Sequence, residues 1–189
     1  MAATPSTMLA LGTPAPGFSL PDVASGRTVS LADFSGEKAL LVIFLCAHCP
    51  FVVHVKEELA RLGRDYAGSI VGITANDIAG YPQDAPKPTA AFARAAGFTF
   101  PILFDETQAV AKAYTAACTP DFFLFGPDRC LTYRGQLDDS RPGRGTADGK
   151  DIRTALEALL SGQPVNPNQR PSIGCNIKWK PGNEPAYYG

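Results

Sequence analysis

The sequence predicts an α/β fold, a central mixed β-sheet flanked by helices, and three observations carry that expectation. Two apolar runs, KALLVIFLC at 38–46 and SIVGITAND at 69–77, have the length and branched composition of strands buried on both faces. Stretches with apolar residues every three or four positions follow them, as helices packed on one side require. Two further runs, DFFLFG at 121–126 and LTYRGQL at 131–137, join at Gly126-Pro127-Asp128 and read as a hairpin. A β-α-β crossover, a helical passage, a hairpin and a closing helix assemble into one such sheet.

Each element has its own signal. Residues 12–22 form an extended N-terminal segment, because Pro14, Pro16 and Pro21 deny it helix while Phe18 and Leu20 alternate. After the first apolar run, Val52, Val55, Leu59, Leu62 and Tyr66 make one helical stripe, and Pro50 falls in its first turn, where a missing N–H costs nothing. Residues 78–88 carry Pro82, Pro86 and Pro88 and are expected as loop, followed by a short helix over 89–96 that Gly97 stops. FPILFDETQAVAKAY predicts a short strand, then a helix capped by Asp105 or Thr107. Residues 138–149 are polar loop, and DIRTALEALLSG at 151–162 is the last helix, with Ile152, Leu156 and Leu159 on one face. Residues 163–189 are proline-studded and without period, so the expected organisation is one domain over 1–162 and an irregular C-terminal tail.

Composition excludes several partners. Seventeen basic and eighteen acidic side chains give a net charge of −1 with no basic block, which argues against nucleic acid and anionic membranes. The longest apolar run, Ala39–Ala47, falls far short of the ~18 residues of a membrane helix. No basic residue precedes Arg27, so a charged secretory leader is not expected and a cytoplasmic location is. Thiols are kept reduced there, and five cysteines, an odd count, do not suggest a disulfide framework.

The chemistry concentrates in Cys46-Ala47-His48-Cys49-Pro50, where a buried strand gives way to a helix. A strand ending at Cys46 places that thiol at a helix N-terminus, where unpaired N–H groups and the macrodipole favour the thiolate, the attacking form. Cys49 is near enough to clear a mixed disulfide formed at Cys46. His48 between them would stabilise the thiolate, and with it the reduced form of the couple. The same thiols with a histidine could instead ligate zinc or copper, with Cys118 as a third ligand, or could be two small core residues. His54 lies off this turn. Cys118 is open to three roles: a third redox thiol, a ligand or packing. Cys130 falls in the hairpin turn. Cys175 in the tail is packing, or a thiol that swings in to resolve a sulfenic acid at Cys46.

A CxxC beside a crossover pattern, with Thr119-Pro120 before the hairpin, resembles the thioredoxin superfamily. LGTPAPGFSLPDV, FLCAHCP, DETQAVAKAY and TPDFFLFGPD resemble its redoxin branch of peroxiredoxin-like proteins and thiol–disulfide oxidoreductases from about residue 9 to 161. A narrower group with C-x-H-C-P and a tail like PSIGCNIKWKPGN is similar over almost the whole length. The resemblance implies a thioredoxin-like fold, Cys46 as attacking and Cys49 as resolving cysteine, and Pro120 as a cis-proline that presents the backbone of Thr119 to an extended substrate. The pattern departs from thioredoxins proper, with Leu45 for their tryptophan, Ala47-His48 for Gly-Pro, and Leu40 for their buried acid. It lacks the upstream proline and hydroxyl residue of peroxiredoxins proper. The expected function is therefore thiol–disulfide exchange with a protein or small-molecule disulfide and an external thiol reductant, without cofactor or metal. The alternatives are a thiol peroxidase acting on hydroperoxides, and a non-enzymatic metal-binding module.

Overall fold

The computed structural model describes residues 3–188. A short strand at Ala3–Pro5 (β1) precedes a small hairpin of Ser19–Pro21 (β2) and Thr28–Ser30 (β3). Leu40–Phe44 (β4) enters the core and leads into Pro50–Asp65 (α1), then Ile70–Thr74 (β5). Pro86–Ala96 (α2), Ile102–Phe104 (β6) and Ala109–Ala113 (α3) follow. Cys118–Thr119 (β7), Asp121–Phe125 (β8), Leu131–Gly135 (β9), Lys150–Leu160 (α4) and Ile173–Asn176 (β10) complete the chain.

The central sheet runs β6-β5-β4-β8-β9, with β4, β5 and β6 parallel and β8 and β9 antiparallel, so the expected mixed sheet is present. Its two faces separate by the two-residue period of a strand. Leu41, Ile43 and Leu45 pack with Val52, Val55, Leu59 and Leu62 of α1 and with Ile152 and Leu156 of α4. Leu40, Val42 and Phe44 pack with Phe123, Phe125 and Tyr114, and with Ile177 and Trp179 of the tail. Each of these large side chains, fully withdrawn from water, contributes about 1.5–3 kcal/mol. The helices α1 and α4 are further tied by buried Glu58, which accepts Arg61 Nε at 2.5 Å and Arg153 Nε at 2.6 Å.

Three expectations are corrected. The segment expected as loop up to 88 carries a turn of 3₁₀ helix at Pro82–Asp84 and then starts α2 at Pro86, which occupies a position needing no N–H donor. The helix at 109–113 starts after Gln108, yet both anticipated residues serve its open end. Asp105 accepts the Ala111 N–H at 2.8 Å and Thr107 accepts that of Ala109 at 3.3 Å. The tail is not irregular throughout: β10 sits between β1 and β7 in a second, antiparallel sheet. Gly174 makes that possible, because a Cβ there would stand 2.0 Å from the Thr119 carbonyl oxygen.

Candidate active site

Parallel β4 and β5 end at the same edge of the sheet, so the turns that follow them must meet there. The turn after β4 carries Cys46 and Cys49. The helix starts later than expected: Cys49 is the N-cap of α1 and Pro50 its first residue, while Cys46 lies in the preceding turn. Both thiols are unbridged and buried, at 1% and 0% exposure, whereas Ala47 and His48 above them are half-buried.

Thr119 faces both sulfurs from the opposite side. Its hydroxyl lies 3.4 Å from Cys46 Sγ, and Cys49 Sγ donates to its carbonyl oxygen at 3.0 Å. The Thr119-Pro120 peptide is cis. Contrary to expectation, the backbone of Thr119 is not presented to an incoming peptide. In the β7–β10 ladder it is paired with Cys175, so the chain's own tail occupies that edge.

A hydrogen bond between the two sulfurs ties their ionisations together. That bond raises Cys46 above the usual thiol range, and burial and the Asp84 carboxylate add to the rise. The same bond pulls Cys49 down to about 4 against the cost of burial, aided by the Thr119 and Cys175 side chains. These directions make Cys49 the easier of the two to ionise, while its donation to the Thr119 carbonyl holds it as a thiol in this geometry. The N-cap position is Cys49's, and an acid that the sequence reading passed over stands beside Cys46.

That acid is Asp84, fully buried in the turn after β5. It accepts Ala47 N–H at 3.1 Å and Asn76 Nδ2 at 2.8 Å, and its Oδ2 is 2.6 Å from His48 Nδ1. The His48 ring also stacks on Tyr81, with centroids 5.7 Å apart. The Asp84 carboxylate thus holds the turn through the Ala47 N–H and lies against the imidazole. A Cys46 sulfur, a His48 nitrogen and an Asp84 oxygen lie within 4.8 Å of one another, a donor set suited to proton transfer or to a transition metal, and Cys118 is not part of it.

The remaining cysteines separate. Cys118 is buried with its thiol 3.6 Å from the Pro120 carbonyl, and burial and then Asp121 raise it well above its usual value. Its electrostatic neighbours are Asp121, Cys49 and Cys175, not Cys46. Cys130 stays in the hairpin turn against Asp128. His54 bonds Ser140 at 2.9 Å, away from the sulfurs. Cys175 needs no swing to arrive: it is buried opposite Thr119 and hydrogen-bonded to Cys49.

Comparison with known proteins identifies the family of this chain. A Mycobacterium tuberculosis protein named "Putative peroxiredoxin" is 34% identical over 113 residues, spanning 60% of this chain and 68% of its own. A crystal structure of an uncharacterized conserved protein from Geobacillus kaustophilus is 52% identical, with a TM-score of 0.93 over 96% of this chain and 98% of that one. The thioredoxin domain of a Bacteroides vulgatus thiol–disulfide oxidoreductase, 21% identical with a TM-score of 0.56 over 72% of this chain and 92% of that one, shares the fold. Among the described residues no helix is long and apolar enough to cross a membrane. With the AhpC/TSA family matching over residues 11–134, the chain belongs to that family, on the redoxin branch of the thioredoxin superfamily.

Proposed function

We propose that this redoxin is a thiol–disulfide oxidoreductase working through a Cys46–Cys49 dithiol/disulfide couple. The observation that carries the reading is the meeting of both sulfurs on Thr119, beside the cis-proline and at the start of α1. Cys46 adjoins the half-buried rim of Ala47 and His48, so displacement of that rim exposes it first. Its sulfur attacks one sulfur of a substrate disulfide, giving its proton to the His48–Asp84 unit, and a mixed disulfide forms as the first substrate thiolate leaves. Cys49 sulfur then attacks Cys46, its proton passing to the departing sulfur, forming the internal disulfide and releasing the second substrate thiol. Two protons and two electrons leave with the substrate, and an external thiol reductant restores them. The edge of Thr119 being occupied, small disulfides or short exposed cystines suit the site better than a peptide needing strand pairing.

Peroxide reduction is the second reading, favoured by the name of the mycobacterial relative. A leaving hydroxide needs donors or cations aimed at it. The charged group beside Cys46 is the Asp84 carboxylate, which opposes it. The test uses the full chain with a small aromatic disulfide and, separately, hydrogen peroxide. Disulfide exchange should exceed that of a free thiol and fall at least 100-fold in Cys46→Ser, with alkylation and mass spectrometry finding a Cys46–Cys49 bond. Peroxide consumption faster than disulfide exchange would overturn the assignment.

A further inference from the structure

Cys175 stands beside the pair and has no part in the mechanism above. The β10 strand pairs antiparallel with β7 so that Cys175 stands opposite Thr119, whose carbonyl oxygen receives Cys49 Sγ at 3.0 Å. Cys46, Cys49 and Cys175 share one buried cluster. An extended segment paired to the residue before the proline, bringing its own sulfur to the pair, is how a peptide substrate would lie. Here the segment is the chain's own tail, held between β1 and β7 and seated by Gly174, where no Cβ fits against the Thr119 carbonyl.

From the strand register and the shared buried cluster we infer that Cys175 is a third redox thiol, an internal substrate that takes Cys49 over from Cys46. The inference rests on the Cys46–Cys49 reading. Once that disulfide exists, Cys175 sulfur attacks Cys49 sulfur; the Cys49–Cys175 bond forms, the Cys46–Cys49 bond breaks, and the Cys175 proton passes to Cys46. Nothing is oxidised or reduced overall, so no external reagent enters, and at 2% exposure Cys175 is shielded from competitors. The exchange leaves Cys46 reduced while the oxidising equivalent is held at the tail. In the resting dithiol, burial and the bond to Cys49 push Cys175 up to about 12, which keeps it a hydrogen donor until Cys49 is oxidised.

The experiment is disulfide mapping after one equivalent of diamide, with acid quench and alkylation. Wild-type protein should give both linkages, with Cys49–Cys175 in at least one molecule in ten and Cys46 alkylated in the same molecules. Cys46→Ser should give Cys49–Cys175 as its main internal bond, and the Cys46→Ser/Cys175→Ser pair should lose it. A natively folded Cys46→Ser protein, by circular dichroism, in which Cys49 stays reduced or bonds elsewhere overturns the inference and leaves the Cys46–Cys49 reading standing. Wild-type protein that forms no Cys46–Cys49 bond overturns the function instead. Should Cys46→Ser fail to fold, the wild-type map alone decides: Cys49–Cys175 below one molecule in ten refutes the third thiol.

Discussion

Asp121, the residue after the proline, is fully buried in β8 and accepts Ala117 N–H through Oδ2 at 3.2 Å, while its Oδ1 has no partner. Burial pushes its carboxyl from the usual 3.8 up to about 7. The titratable groups nearest it, Cys118 and Tyr187, are themselves raised, so both stay neutral through that range. Between pH 4 and 7 the folded chain therefore binds a proton that the unfolded chain has released, and the unfolding free energy falls as pH rises. The stabilisation is complete below about pH 4 and lost as pH passes 7. Three pH units at ~1.4 kcal/mol each give about 4 kcal/mol for this one group. Asp121→Asn has the same shape, still accepts from Ala117 and cannot ionise. Urea titrations of the reduced protein, followed by fluorescence of the single tryptophan, Trp179, would measure both curves. The variant should match wild type near pH 4 and exceed it by several kcal/mol at pH 8. Parallel curves for the two proteins from pH 4 to 8 would refute the account of a neutral buried acid.

Other perturbations test the site and its frame. Asp84→Asn removes the carboxylate that raises Cys46, so Cys46 thiolate absorbance at 240 nm should appear at lower pH; disulfide exchange should nevertheless slow about 100-fold, because the His48 partner is lost. Gly174→Ala forces a Cβ onto the Thr119 carbonyl and should cost about 1–3 kcal/mol by thermal denaturation, with loss of the Cys49–Cys175 linkage. Glu58→Ala removes the shared partner of Arg61 and Arg153, but Arg61 reaches solvent and Arg153 keeps Asp65, so it should cost about 1–3 kcal/mol in urea, with the sulfur chemistry unaffected once folded.

The parts legible in the sequence were those whose pattern is written in one stretch of chain. The faces of β4, the stripe of α1 and the Gly126-Pro127-Asp128 turn each follow from local period or turn chemistry. The β10 strand was not legible, because Ile173-Gly-Cys-Asn176 has neither length nor alternation; it is a strand only because β1 and β7 supply hydrogen-bond partners on both sides. Asp84 was hidden for a related reason. An acid between Pro82 and Pro86 looks solvated, and its burial depends on the turn after β5 folding over the turn after β4. A signal did exist: two consecutive parallel strands open on one edge, so polar residues after the second strand belong near the cysteines after the first. That Cys49 rather than Cys46 caps the helix was missed because it depends on the helix starting at Pro50, a boundary uncertain by one or two residues at sequence level.

The seat of β10 lies outside the family's matched segment. The AhpC/TSA match covers residues 11–134, which includes Cys46, Cys49, Asp84 and Pro120 but not β10. The Geobacillus protein, at 52% identity, aligns over 96% of the chain. Gly174 and Cys175 belong to the part the family match leaves out, and both act on Thr119: one by permitting contact at its carbonyl, the other by pairing with its backbone. A tail that merely covered an apolar face would not need a residue without a Cβ at its closest approach, since Ile177 and Trp179 already bury that face. The close seat of β10 has its physical consequence at the sulfurs, where it closes the strand edge to outside peptides and fixes a third thiol against Cys49.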